Sequence, residues 1–128
     1  MLTTKIDIRR SIDAFGHWQS GRFEQALEVF EELIKEDRND ADAWMGKGLA
    51  LHGLERYVEA IAAYDEAILA NDAYAKPWFN KALTYEAMED VDTAILCCDK
   101  ALELDQNYEK AFLKREILYF TRPELELF

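Results

Sequence analysis

Residues 34 positions apart in this chain repeat in kind. Trp44, Gly48, Ala60, Tyr64 and Ala67 are answered by Trp78, Ala82, Ala94, Cys98 and Ala101. The pattern runs backwards, since Ala14, Ala26, Phe30 and Leu33 stand one period before Gly48, Ala60, Tyr64 and Ala67, and forwards to Phe112, one period after Trp78. This period is the length of a helix–turn–helix unit. Each unit has two short amphipathic helices, and neither buries its apolar face until a neighbouring unit stacks on it. The expectation is therefore an all-α array, with small residues wherever two helices must approach closely.

The unit in the middle of the chain is the clearest. It reads Ala-Trp-Met-Gly-Lys-Gly-Leu-Ala-Leu from Ala43 and Tyr-Val-Glu-Ala-Ile-Ala-Ala-Tyr-Asp-Glu-Ala-Ile from Tyr57. In these residues the sequence resembles the tetratricopeptide repeat family. The departures are Arg10 at a first-helix aromatic position, Cys98 at a second-helix aromatic position, and Arg38, Asp72 and Gln106 where the family often has proline. None removes an apolar stripe. The resemblance implies an α-solenoid in a single domain of three helix-turn-helix repeats, 6–40, 41–74 and 75–108, then a C-terminal capping helix at 109–121 and a tail at 122–128.

Apolar periodicity places first helices at about 6–20, 41–54 and 75–88, second helices at about 22–37, 57–70 and 91–104, and a seventh at about 109–120. Thr4 and Asp40 are expected to act as N-caps, and Gly21 and Gly53 to mark chain reversals. Pro77 falls in a first turn, where its missing N–H leaves no hydrogen bond unmade.

No stretch approaches the roughly 20 apolar residues needed to cross a bilayer, and Met-Leu-Thr-Thr-Lys-Ile-Asp carries no apolar signal core, so a cytoplasmic protein is expected. Cys97 and Cys98 are adjacent on a helix, point apart, and are expected to stay reduced. The lack of a bilayer-length apolar stretch argues against membrane insertion, and the net charge of −11 against nucleic acid and anionic lipid surfaces as partners. Its distribution is uneven. The second-helix spans hold 12 acidic and 3 basic residues, 3 − 12 = −9, whereas the first helices and the seventh hold 8 basic and 6 acidic, 8 − 6 = +2. In the resembled family, first helices line a concave surface and second helices a convex one. The groove is thus expected to be neutral to basic and the back acidic.

Nothing in the sequence assembles catalysis, so no enzyme activity, cofactor or metal is expected. His17 and His52 lack spaced carboxylate or cysteine partners. Cys98 sits at a core position with no basic cluster to make a thiolate. Gly46 and Gly48 lie inside a helix, the second at a small packing position and not in an anion nest.

Binding of a protein or peptide is what remains. Members of the resembled family that clamp acidic C-terminal tails of heat-shock chaperones use Lys and Asn, then Asn, then Lys and Arg. The matching positions are Ser11, Phe15, Gly46, Lys76 and Asn80, of which only Lys76 agrees; shifted by one unit they are Met45, Leu49, Asn80, Lys110 and Lys114, of which Asn80 and Lys110 agree and Lys114 keeps the charge, still without the first pair. Apolar residues take the clamp's place. The expected groove set is Phe15, Met45, Leu49, Lys76, Phe79, Asn80, Leu83, Lys110, Leu113 and Lys114, with Ile117 beside them. Such a groove suits an apolar or acidic-apolar peptide or helix. The seventh helix is apolar around most of its circumference, so Phe112, Leu118 and Phe120, with Leu125, Leu127 and Phe128 of the tail, are expected to serve tail docking or self-association as a homodimer. A self-associating scaffold and an accessory subunit of an enzyme complex are the alternative readings.

Overall fold

The computed structural model describes residues 5–122, with side chains from residue 8 onward. Among them are seven α-helices: α1 (Lys5–Gln19), α2 (Phe23–Glu36), α3 (Ala41–Gly53), α4 (Tyr57–Ala70), α5 (Lys76–Ala87), α6 (Val91–Leu104) and α7 (Glu109–Thr121). Each lies within one or two residues of its expected span, the ordinary uncertainty of a helix end. The architecture is an all-α helical repeat solenoid. The chain forms two compact units divided after Asp72.

In the first unit α1 packs on α2, α2 on α3 and α3 on α4, and α1 also touches α3. Three glycines of α3 set these contacts. Gly46 receives the ring of Phe30 from α2, Gly48 the ring of Tyr64 from α4, and Gly53 the ring of Phe23 from α2. A Cβ at any of the three would overlap the ring. Phe30 and Tyr64 are wholly buried as a result, and each such burial contributes about 1.5–3 kcal/mol. Gly53 is thus a packing glycine at the last residue of α3, not the reversal expected of it. The reversals fall at Gly21 (φ 78°), Glu55 (φ 60°) and Glu89 (φ 65°), one period apart in the left-handed region.

In the second unit α5 packs on α6 and α6 on α7. One cluster joins Ala82, Ala94, Ile95, Cys97, Cys98 and Leu118, with Trp78, Tyr85 and Val91 against it. A second joins Ala75, Ala101 and Ala111, flanked by Trp78, Phe79, Leu102 and Tyr108. Cys98 replaces the family's aromatic at no cost in burial, because both thiols lie inside, unpaired by any disulfide.

Capping follows the same logic of satisfying exposed helix-end N–H groups. The Asp40 carboxylate accepts from the Ala43 amide at 3.1 Å, and Asp90 accepts from the Thr93 amide at 3.2 Å. Pro77 sits in the first turn of α5 as expected. Thr4 lies outside the described residues. A cation stands over the aromatic three residues earlier on each of three helices: Lys47 over Trp44 at 5.4 Å, Lys81 over Trp78 at 4.6 Å, and Arg115 over Phe112 at 5.5 Å. These pairs are one period apart, so the repeat extends to cation–π contacts.

Candidate peptide-binding face

On α5, Lys76, Phe79, Asn80 and Leu83 follow the spacing i, i+3, i+4, i+7 and share one face. One period later, Lys110, Leu113, Lys114 and Ile117 repeat it on α7. Lys76 is the first residue of α5 and Lys110 the second of α7, so both stripes begin at the N-terminal ends of their helices. Two contacts hold the stripes together. The Phe79 and Tyr108 rings lie 5.3 Å apart, and Lys114 Nζ donates to Glu86 Oε1 at 3.0 Å.

Exposure separates anchors from packing. Leu113 and Ile117 are 55% and 52% exposed, while Phe79, Asn80 and Leu83 are half-buried. Lys76 and Lys110 are exposed and, among the described residues, make no ion pair. Lys114 differs from the expectation, because its charge is already matched by Glu86. The result is a pair of aliphatic side chains one turn apart, bordered by exposed ammonium groups.

The first unit uses its corresponding residues differently. Phe15 rests edge-on against Phe30 at 4.8 Å, and Met45 is only 7% exposed, so both serve packing; Leu49 is half-buried. Ile8 and Ile12, 50% and 66% exposed, lie on the Phe15 face of α1 and were not among the expected groove residues. Their signal is present in the sequence: they stand one period before Asp42 and Gly46, on the same stripe.

Of the residues expected for tail docking or self-association, Phe112 and Phe120 are 47% and 81% exposed. Leu118 is 1% exposed and belongs to the core cluster under α6, so its side chain is consumed by packing and is not a docking residue. Leu125, Leu127 and Phe128 lie outside the described residues.

Burial pushes the Cys98 thiol up to about 11, with the neighbouring Cys97 adding to it, so the thiolate is suppressed at neutral pH. His52, edge-on to Tyr57 at 5.2 Å, is held below the usual histidine range by burial. His17 Nδ1 accepts from Arg22 Nε at 2.9 Å. A cleft of about 420 Å³ beside α2 has Leu27 and Leu54 as its apolar lining and Glu24, Glu28, Glu31 and Arg56 around it, which places no nucleophile beside a base. Among the described residues no group of three or more His, Cys, Asp or Glu is placed to hold a metal, and no helix is long and apolar enough to cross a membrane.

Comparison with known proteins agrees with this construction. Two family models, each described as tetratricopeptide repeat, match residues 16–76 and 75–108. No curated protein is matched by the sequence. Among solved structures, the Yersinia enterocolitica type III secretion chaperone SycD, in complex with a peptide of the translocator YopD, superposes with a TM-score of 0.81 at 21% identity, covering 92% of this chain and 95% of that one. PcrH from Pseudomonas aeruginosa gives 0.82 at 21% identity, covering 93% and 96%. The first TPR of Spaghetti (RPAP3), bound to the HSP90 peptide SRMEEVD, gives 0.79 at 15% identity, covering 88% and 89%. At such identities the likeness speaks for the fold alone. Family matches that together run from residue 16 to 108, laid over a 34-residue register that recurs in turns and cation–π pairs, make this chain a member of the tetratricopeptide repeat family.

Proposed function

We propose that the chain is a non-catalytic protein-interaction module whose first-helix face in the second unit captures an apolar or acidic-apolar peptide or helix. The observation that carries this reading is the pairing of exposed Leu113 and Ile117 with the exposed cations Lys76 and Lys110, which make no ion pair among the described residues. Exposed aliphatic groups on one helix face gain from burial against a ligand, and adjacent cations select acidic flanks. SycD and Spaghetti, which share the fold, are each bound to a peptide. This reading sets apolar anchors in place of a carboxylate clamp: in one register the ring of Phe30 fills the space an asparagine side chain would need at Gly46, and in the register one unit on, where Asn80 and Lys110 agree, Met45 and Leu49 stand in the first pair.

The test is anisotropy titration of amphipathic peptides carrying Glu on one edge, against the same peptides carrying Lys. Leu113→Asp with Ile117→Asp should abolish capture, each anchor being worth roughly 2 kcal/mol or more if it is a hot spot. Lys110→Ala should mainly slow association and flatten its salt dependence. Binding that survives the double aspartate variant, or that requires a free C-terminal carboxylate on the peptide, would sink this reading.

A further inference from the structure

Phe112, Arg115, Glu116 and Tyr119 occupy i, i+3, i+4 and i+7 on α7, a different face from that of Leu113 and Ile117. Their equivalents on α3 are Trp44, Lys47, Gly48 and Leu51, and on α5 Trp78, Lys81, Ala82 and Tyr85. On those helices the face meets its own second helix: Gly48 receives Tyr64 of α4, and Trp78, Ala82 and Tyr85 pack into the cluster built on α6. Among the described residues no second helix follows α7, and Phe112 and Tyr119 are left 47% and 38% exposed. Beside them Phe120 is 81% exposed.

The face is also altered in a way that specifies its occupant. Glu116 stands where Gly48 and Ala82 admit a close helix, so a helix in the usual second-helix register is excluded by bulk and charge. From the N-terminal end of α7 the four side chains run aromatic, cation, anion, aromatic, a pattern in which reversal exchanges only the two charges. Such a stripe complements itself when two copies meet antiparallel, as a two-fold interface requires. Phe112 then lies against the second copy's Tyr119, and Arg115 against the second copy's Glu116, and each contact occurs twice. Within one chain the Arg115–Glu116 contact is long, 3.5 Å, whereas Arg115 to Asp99 is 3.0 Å. The guanidinium has donors for both Asp99 and a second carboxylate.

We propose that α7 pairs antiparallel with α7 of a second copy of this chain through Phe112, Arg115, Glu116 and Tyr119. The interface stands on a different face from the peptide-binding one and does not rest on that reading. The experiment is molar mass by light scattering and sedimentation over a dilution series. Wild type should weigh two chains at high concentration, and Glu116→Lys and Arg115→Glu should each halve that mass, since each sets like charges opposite one another. Mixing the two variants should restore the doubled mass as a heterodimer. Because Arg115→Glu also faces Asp99, Phe112→Ser with Tyr119→Ser provides a second route to the monomer on exposed positions. Leu113→Asp with Ile117→Asp should leave the mass unchanged. A wild type that stays monomeric throughout, a dimer indifferent to Glu116→Lys, or a mixture that fails to pair overturns the proposal.

Discussion

At Gly48 the missing methyl group sets how closely α3 and α4 approach, because the Tyr64 ring occupies the space a Cβ would need. Gly48→Ala should therefore displace a fully buried ring and cost about 1–3 kcal/mol. Gly16 is the matched control: it lies inside α1 with nothing beyond its chain neighbours and the backbone of its own helix within 4 Å of the place its Cβ would take, and Gly16→Ala should stabilise by roughly 0.5–1 kcal/mol. Thermal melts of the two variants should move in opposite directions. A second expectation at this scale concerns Cys98. Its thiol is raised from 9.0 to about 11, so between those values the native state holds a proton that the unfolded chain has released. Stability that is fully present below pH 9.0 is therefore lost as pH rises through about 11. The melting midpoint of wild type should fall more steeply over that window than that of Cys98→Ala; equal slopes would mean the thiol does not titrate late. The smallness of position 48 is legible in sequence because Ala82 repeats it one period on. That of Gly46 is not, because its constraint comes from Phe30 on another helix, and the family resemblance points instead to a polar ligand position.

Among the elements, helix spans are readable in the sequence and turns are not. Apolar spacing fixes which residues face inward, and helix length follows, but a reversal is set by a single backbone angle that leaves no periodic trace. The glycine signal points to Gly53, whereas the period carries Gly21 onto Glu55 and Glu89. A non-glycine residue in the left-handed region costs about 1–2 kcal/mol. Glu55→Gly and Glu89→Gly should recover part of that, stabilising by roughly 0.5–1 kcal/mol each after the entropy of the glycine is subtracted, read as a higher urea midpoint. Loss of stability in both variants would mean the turns are held by the glutamate side chains. Caps show the complementary case. Asp40 is identifiable from its position before an apolar run, and Asp90 holds Thr93 in the same way. Asp90→Ala should cost about 1 kcal/mol, read as a lower midpoint with an unchanged denaturant slope. On α7 the sequence shows apolar residues around most of the circumference, but it does not say which side α6 takes. That is why Leu118 reads as a docking residue in the sequence while Tyr119 does not.

For the whole molecule the decisive quantity is charge, −11 over 128 residues, concentrated on the second helices. On α2, Glu24, Glu28, Glu31 and Glu32 are all exposed, and the i, i+4 pair Glu24 and Glu28 places like charges together. Against this repulsion stand ion pairs such as Arg56 to Glu59 at 2.6 Å and Lys100 to Glu103 at 3.3 Å, both exposed and three residues apart. Exposed pairs of this kind contribute only about 0.2–1 kcal/mol and are weakened by salt. Repulsion is screened by the same ions, since the Debye length falls from roughly 30 Å at about 0.01 M to roughly 8 Å at about 0.15 M. With carboxylates far outnumbering cations on the second helices, relief of repulsion outweighs loss of ion pairs. The melting midpoint should therefore rise across that range of sodium chloride, and Glu24→Gln with Glu28→Gln should raise the low-salt midpoint and shrink the salt response. Capture of an acidic peptide by Lys76 and Lys110 should weaken over the same range, so added salt would separate the two electrostatic roles. A midpoint that falls with salt would show that the ion pairs, and not the acidic second helices, dominate the electrostatics of the fold.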